Sequence, residues 1–189
     1  MRWRVAQSTA ALSLALLAVA CAASCGPSAE DMRRCDGPGQ CVALPKGCCG
    51  APCGAVDLAD FDAIHFDYMR QFREESCRSG GDCPLVDCNE RSDAGVFAEC
   101  QGGTCVARNL AAEPLSSCQV PEECRLRFGV GCCESCEGTA ASLVAARLDA
   151  EEALRAAVCR PGDACGICRP EPPEGARADC VEGRCVVDL

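Results

Sequence analysis

The chain predicts a small disulfide-rich α+β fold, built as two tandem ten-cysteine modules, each one helix plus a short β-hairpin. Three observations carry this expectation. There are 22 cysteines in 189 residues, and twenty of them form one spacing pattern written twice. The longest cysteine-free stretch of each copy has apolar residues at helical intervals. Near the end of each copy, two short runs flank a glycine-containing turn.

The first pattern is Cys35, Cys41, Cys48, Cys49, Cys53, Cys77, Cys83, Cys88, Cys100 and Cys105. The second is Cys118, Cys124, Cys132, Cys133, Cys136, Cys159, Cys165, Cys168, Cys180 and Cys185. Five of the nine gaps are identical and the rest differ by one or two residues. Cross-links fix backbone distances and leave surface residues free to vary, so equal spacing with little other identity marks a repeated scaffold. The expected organisation is a signal peptide over 1–24, a tether over 25–34 and a first repeat over 35–108. A linker over 109–117 and a second repeat over 118–189 follow.

The N-terminus reads as an export signal. Arg2 and Arg4 precede an apolar stretch from Ala10 to Ala20, followed by the small residues Ala22, Ala23 and Ser24. The stretch is short for a membrane span, which needs about 20 residues. Disulfides persist in oxidising compartments, so the cysteine count agrees with export. Cys21 and Cys25 lie outside both repeats. Acylation of Cys25 leaves twenty cysteines able to pair, whereas acylation of Cys21 strands Cys25 as an odd thiol. Cys25 is therefore the preferred lipidation position, with Cys21 as the alternative. Plain secretion with a local Cys21–Cys25 bridge is the competing expectation. Loss of residues 1–24 removes two arginines and no acid, leaving 16 Lys+Arg against 28 Asp+Glu, a net charge of −12. That balance disfavours nucleic acid as a partner.

Within the repeats, Val56 to Glu75 carries Phe61, Ile64, His65, Tyr68 and Phe72 at steps of three and four, predicting a helix. Asp57 and Asp60 suit its N-terminal end. Thr139 to Val158 is the matching stretch, rich in strong helix formers. Phe61, Phe66 and Phe72 align with Leu143, Leu148 and Leu154. Twenty helical residues would span about 30 Å, which excludes bridges between Cys53 and Cys77 or between Cys136 and Cys159. The hairpins are expected over Val96–Ala107, with Gln101-Gly102-Gly103 at the turn, and over Ala178–Val187, with Val181-Glu182-Gly183-Arg184 at the turn. Segments 36–52 and 119–135 read as loops or short irregular strands.

The Gly47-Cys48-Cys49 and Gly131-Cys132-Cys133 elements resemble the adjacent-cysteine nodes of small secreted modules. Together with the signal and the doubled pattern, they make the chain resemble cysteine-rich, tandem-repeat bacterial lipoproteins of unknown function. That resemblance implies an envelope location and a membrane contact through the N-terminal lipid. It implies no particular activity.

The remaining motifs weigh less. Cys133-x2-Cys136 and Cys165-x2-Cys168 have zinc-ligand spacing, but their first-repeat counterparts drift to Cys49-x3-Cys53 and Cys83-x4-Cys88, which suits disulfides better than two equivalent metal sites. Arg169-Pro170 after Cys168 forbids the helix that a thiol-exchange motif needs. His65, the single histidine, reads as a core residue, and no nucleophile–base arrangement supports catalysis. Neither a cofactor nor a metal is expected. Lys46, between Cys41 and Cys48, and Arg125 and Arg127, between Cys124 and Cys132, are candidate binding-loop residues of the kind protease inhibitors display on cross-linked loops. The expected role is binding or structural, toward a protein or surface ligand that the sequence does not name. Protease inhibition and metal binding are the alternatives.

Overall fold

A computed structural model of the chain describes residues 26–51, 54–78, 93–168 and 170–189. It divides into two compact units, Met1–Met32 and Arg33–Leu189. In the tether, Ser28 and Asp31 form a reciprocal cap: Ser28 Oγ accepts from Asp31 N at 3.1 Å, and Asp31 Oδ2 accepts from Ser28 N at 3.0 Å. Capped in this way, Ala29–Arg33 makes a short helix, α1.

The larger unit is built from antiparallel two-stranded ribbons. Strand β1 (Cys41–Pro45) pairs with β2 (Phe61–His65), in a register that sets Cys41 opposite His65 and Pro45 opposite Phe61. Helix α2 (Met69–Ser76) follows. Strands β3 (Val96–Gln101) and β4 (Thr104–Asn109) form the expected hairpin. The second half runs in the same order: β5 (Cys124–Phe128) with β6 (Leu143–Arg147), then α3 (Glu151–Val158), then the hairpin of β7 (Arg177–Val181) and β8 (Arg184–Asp188).

The two long helices expected over Val56–Glu75 and Thr139–Val158 are not formed. Each stretch is instead a 3₁₀ turn, a strand, a second 3₁₀ turn and an eight-residue helix. In β6 the reason is visible in the burial: Leu143, Val144, Ala145 and Ala146 are all buried. A strand covered on both faces reads as a continuous apolar run, which periodicity alone does not separate from a helix. Ala145 points to one side, among Cys118 and Cys185. Val144 and Ala146 point to the other, among Phe97, Leu110, Val130 and Leu154.

Disulfides fill the space between stacked ribbons. Cys35–Cys100 and Cys41–Cys105 pass through a cluster otherwise made of Ala63 and Ala98, with Ala43 and Ala107 at its edge. Cys118–Cys180 and Cys124–Cys185 do the same beside Ala145. Cystine and alanine are small, so the ribbons lie close with little hydrocarbon between them. Cys48–Cys77 and Cys132–Cys159 tie the C-terminal ends of α2 and α3 to the loops after β1 and β5. The second half adds Cys133–Cys165 and Cys136–Cys168. Cys49 is also disulfide-bonded. Cys136 and Cys159 are not partners, as expected, but the rigid 30 Å helix that motivated the exclusion is absent.

The larger unit holds a further core to which both halves contribute. Phe97 and Leu110 from the first half pack with Val130, Val144, Ala146 and Leu154 from the second. The segment expected as a linker is part of this packing. It folds into two 3₁₀ turns, Leu110–Ala112 and Pro114–Ser116, with Leu110 and Ser116 fully buried. Ser116 Oγ donates within the segment, to the carbonyls of Ala111 and Glu113.

Candidate binding groove

The loop between Cys118 and Cys124 is closed by its own side chain, because Gln119 N donates to Glu123 Oε2 at 2.7 Å. Pro121 at the first position of a 3₁₀ turn (Pro121–Glu123) then delivers the chain into β5. On the paired strand, Arg147 stands opposite Cys124, and a 3₁₀ turn (Leu148–Ala150) follows at once. These two turns face one another across an open groove of about 490 Å³ lined by Gln119, Glu122, Glu123, Arg147, Leu148 and Asp149. Leu148 is 55 % exposed and forms an apolar floor. Glu122 is exposed and Glu123 half-buried.

Arg147 and Asp149 form a two-pronged ion pair at the groove edge. Nη2 donates to Oδ2 at 2.8 Å, and Nε donates to Oδ1. The hydrogen bond from Arg147 holds the Asp149 carboxyl below its ordinary range, and the same contact raises the Arg147 guanidinium. With that pair internally matched, Glu122 and Glu123 supply the groove's net negative charge. An apolar floor with an acidic rim suits a cationic group on an aliphatic stem.

The first half carries the counterpart of this groove, and there it is covered. Asp36 N donates to Gln40 Oε1 at 2.7 Å, the same loop closure starting five residues before the matching strand. Phe66 and Asp67 stand where Leu148 and Asp149 stand, because His65 pairs with Cys41 as Arg147 pairs with Cys124. The Arg160 guanidinium lies over the Phe66 ring at 3.7 Å, and Arg160 Nε donates to Gly39 O at 3.3 Å. Gly39 is required at that contact. Its φ is +72°, and a Cβ there would stand 2.4 Å from Arg160 N.

The residues singled out from sequence lie elsewhere. Arg127 is not displayed on a loop: it is 1 % exposed, within β5, at the place that Leu44 holds in β1. Its guanidinium donates to Gly129 O at 2.8 Å, to Glu151 Oε2 at 2.6 Å and to Gly131 O. Arg125 is likewise engaged internally, donating to Glu134 Oε2 at 2.8 Å. Lys46 is exposed, but its ammonium donates to Ala59 O at 2.7 Å, bracing the turn before β2. His65 ends β2 and caps the next turn, its Nδ1 accepting from Asp67 N at 3.3 Å. The structure does not bring Lys46, Arg125 and Arg127 together as one surface. Cys21, Cys25, Cys53, Cys83 and Cys88 fall outside the described residues.

Three clusters of cysteine sulfurs lie within 4.8 Å of one another: Cys35, Cys41 and Cys100; Cys118, Cys124 and Cys185; Cys132, Cys133 and Cys165. All nine are oxidised in disulfides, and a metal needs the thiolate. The two C-x2-C pairs of the second half are joined to each other, Cys133 to Cys165 and Cys136 to Cys168.

The groove itself escaped the sequence reading. Leu148 aligns with Phe66 inside an expected helix, and Glu122 and Glu123 lie in a segment expected as loops or short irregular strands. The available signal was Pro121 followed by two acids directly before a strand.

No protein-family model, no curated protein and no solved structure matches the chain.

Proposed function

We propose that the chain is an exported, lipid-anchored, disulfide-stapled binding or structural module at the cell envelope. It consists of two versions of one ten-cysteine unit and has no catalytic role. The single observation that carries this reading is the bridge pattern. Both halves join the first cysteine to the ninth, the second to the tenth and the third to the sixth. Such density of cystine requires an oxidising compartment. Among the described residues no helix is long and apolar enough to cross a membrane, so attachment would rest on the apolar N-terminal stretch and acylation of Cys25, or of Cys21. One acyl-modified terminus, with few residues before Cys35, would hold the module close to the membrane surface. The internal engagement of Arg125 and Arg127 favours binding through the groove of Glu122, Glu123 and Leu148 over protease inhibition.

The test is the intact mass of the protein isolated from its native envelope, before and after reduction and alkylation. The expected species begins at Cys25, carries acyl chains and takes up no alkylating reagent until reduced. Free thiols in the unreduced protein, or an unacylated N-terminus at Cys21, would overturn the reading.

A further inference from the structure

We propose that the open groove of the second half receives the Arg78 corner of another copy of this chain, so that the protein associates head to tail. The inference deepens the binding reading above by naming the occupant. Its basis is a related contact already present within the molecule, seated on a glycine where the open groove has Glu122. Arg160 directly follows Cys159, the cysteine bridged to Cys132 at the end of α3. It sits in the first half's groove, over Phe66 and against Gly39. Arg78 directly follows Cys77, the cysteine bridged to Cys48 at the end of α2, and it is exposed. The first half therefore presents an exposed arginine at the matching position, after a Cys77 in the helical region where Cys159 is extended, and the second half presents a second groove. One corner and one groove are used within the chain. Among the described residues, the other arginine and the other groove remain for contact between chains.

The two grooves differ in a way that fits this division. Phe66 is replaced by Leu148, which gives the arginine an apolar floor for its methylenes. Gly39, where the backbone of Cys159–Arg160 comes into contact, is replaced by Glu122. The second groove thus exchanges close backbone approach for a carboxylate, beside the further carboxylate of Glu123. A guanidinium arriving from solvent gains most from that arrangement. Corner and groove are different surfaces, so the contact is heterologous, and each added copy brings a new corner and a new groove.

The experiment uses the full-length exported protein in detergent, as a mixture of ¹⁴N- and ¹⁵N-labelled copies. Lys46 is the chain's single lysine, so Arg78→Lys adds one amine that carbodiimide can couple to a carboxylate. The expected product joins Lys at 78 to Glu122 or Glu123 in peptides of mixed isotope composition. In sedimentation, the wild type is expected to grow beyond a dimer with concentration. Arg78→Glu and Glu122→Arg should each reduce association at least tenfold, and the double variant should recover it. An unreduced mass spectrum of every variant confirms that the bridges have formed. Cross-links confined to one isotope, a monomer at all concentrations, or association unaffected by the single variants would each overturn the proposal, leaving the groove to a partner of different composition. Because the same spectra report the acyl chains and the disulfides, failure of self-association is separable from failure of the anchored-scaffold reading.

Discussion

At the residue scale, two turns that close equivalent hairpins solve one backbone problem unequally. Gly102 and Gly103 between β3 and β4 take φ of 59° and 82°; Glu182 and Gly183 between β7 and β8 take 52° and 77°. Both are left-handed two-residue turns of the kind that matches strand twist. Glu182 is the single non-glycine with positive φ among the described residues. Replacing it by Asn, which tolerates that region, should stabilise the protein by about 0.5–1 kcal/mol; a thermal melt that moves down instead would show that the Glu182 side chain makes a compensating contact. Asp149 offers a second test. Its folded pKa is lowered chiefly by the hydrogen bond from Arg147, so the pair's contribution is present above the ordinary Asp pKa of about 3.9 and is lost as pH falls through the lower folded value. The NMR titration of Asp149 should have its midpoint below that of an exposed Asp, and Arg147→Ala should return it to the ordinary range. An unchanged midpoint in the variant would refute the assignment of cause.

At the element scale, the hairpins β3–β4 and β7–β8 were legible because their signal is local: a glycine-bearing turn with cysteines facing each other, Cys100 opposite Cys105 and Cys180 opposite Cys185. The ribbons β1–β2 and β5–β6 were legible only in part. Strands β1 and β5 fall in segments expected as loops or short irregular strands, but their partners fall in expected helices, across long loops and tied into the fold by distant cystines. Phe61, Ile64, His65 and Phe72 do lie at helical spacing, yet the first three belong to a strand whose partner lies some twenty residues upstream. In β6, alanines that favour helix in isolation are placed in a strand because both faces are buried; tertiary packing overrides propensity. Arg127 illustrates the same limit at the site. Nothing in Cys-Arg-Leu-Arg-Phe shows that one arginine points inward to the carbonyls of Gly129 and Gly131 and to Glu151 while the other meets Glu134.

For the molecule as a whole, the spacing of cysteines suggests two repeats and gives no sign of a core drawn from both halves. Leu154 is 1 % exposed and lies in one cluster with Phe97 of the first half. Leu154→Ala should therefore cost about 2–5 kcal/mol, and the loss should be felt on both sides. Amide exchange in β3–β4 should accelerate together with exchange in β5–β6. If protection of β3–β4 were untouched, the halves would be energetically separate in spite of their contact.

The ribbon interiors carry one more consequence. Where another domain of this size would set leucine against leucine, the first half sets cystine against alanine, and the second adds only Leu126 and Val187 at the edge. With thiols in place of those bridges, the core around Phe97, Leu110, Val144 and Leu154 would be left to offset the ordering of the chain with much less help. Rigidity is therefore expected to follow the withdrawal of electrons: a newly made copy should be slack and threadable in reducing surroundings, and should firm into shape on meeting an oxidant.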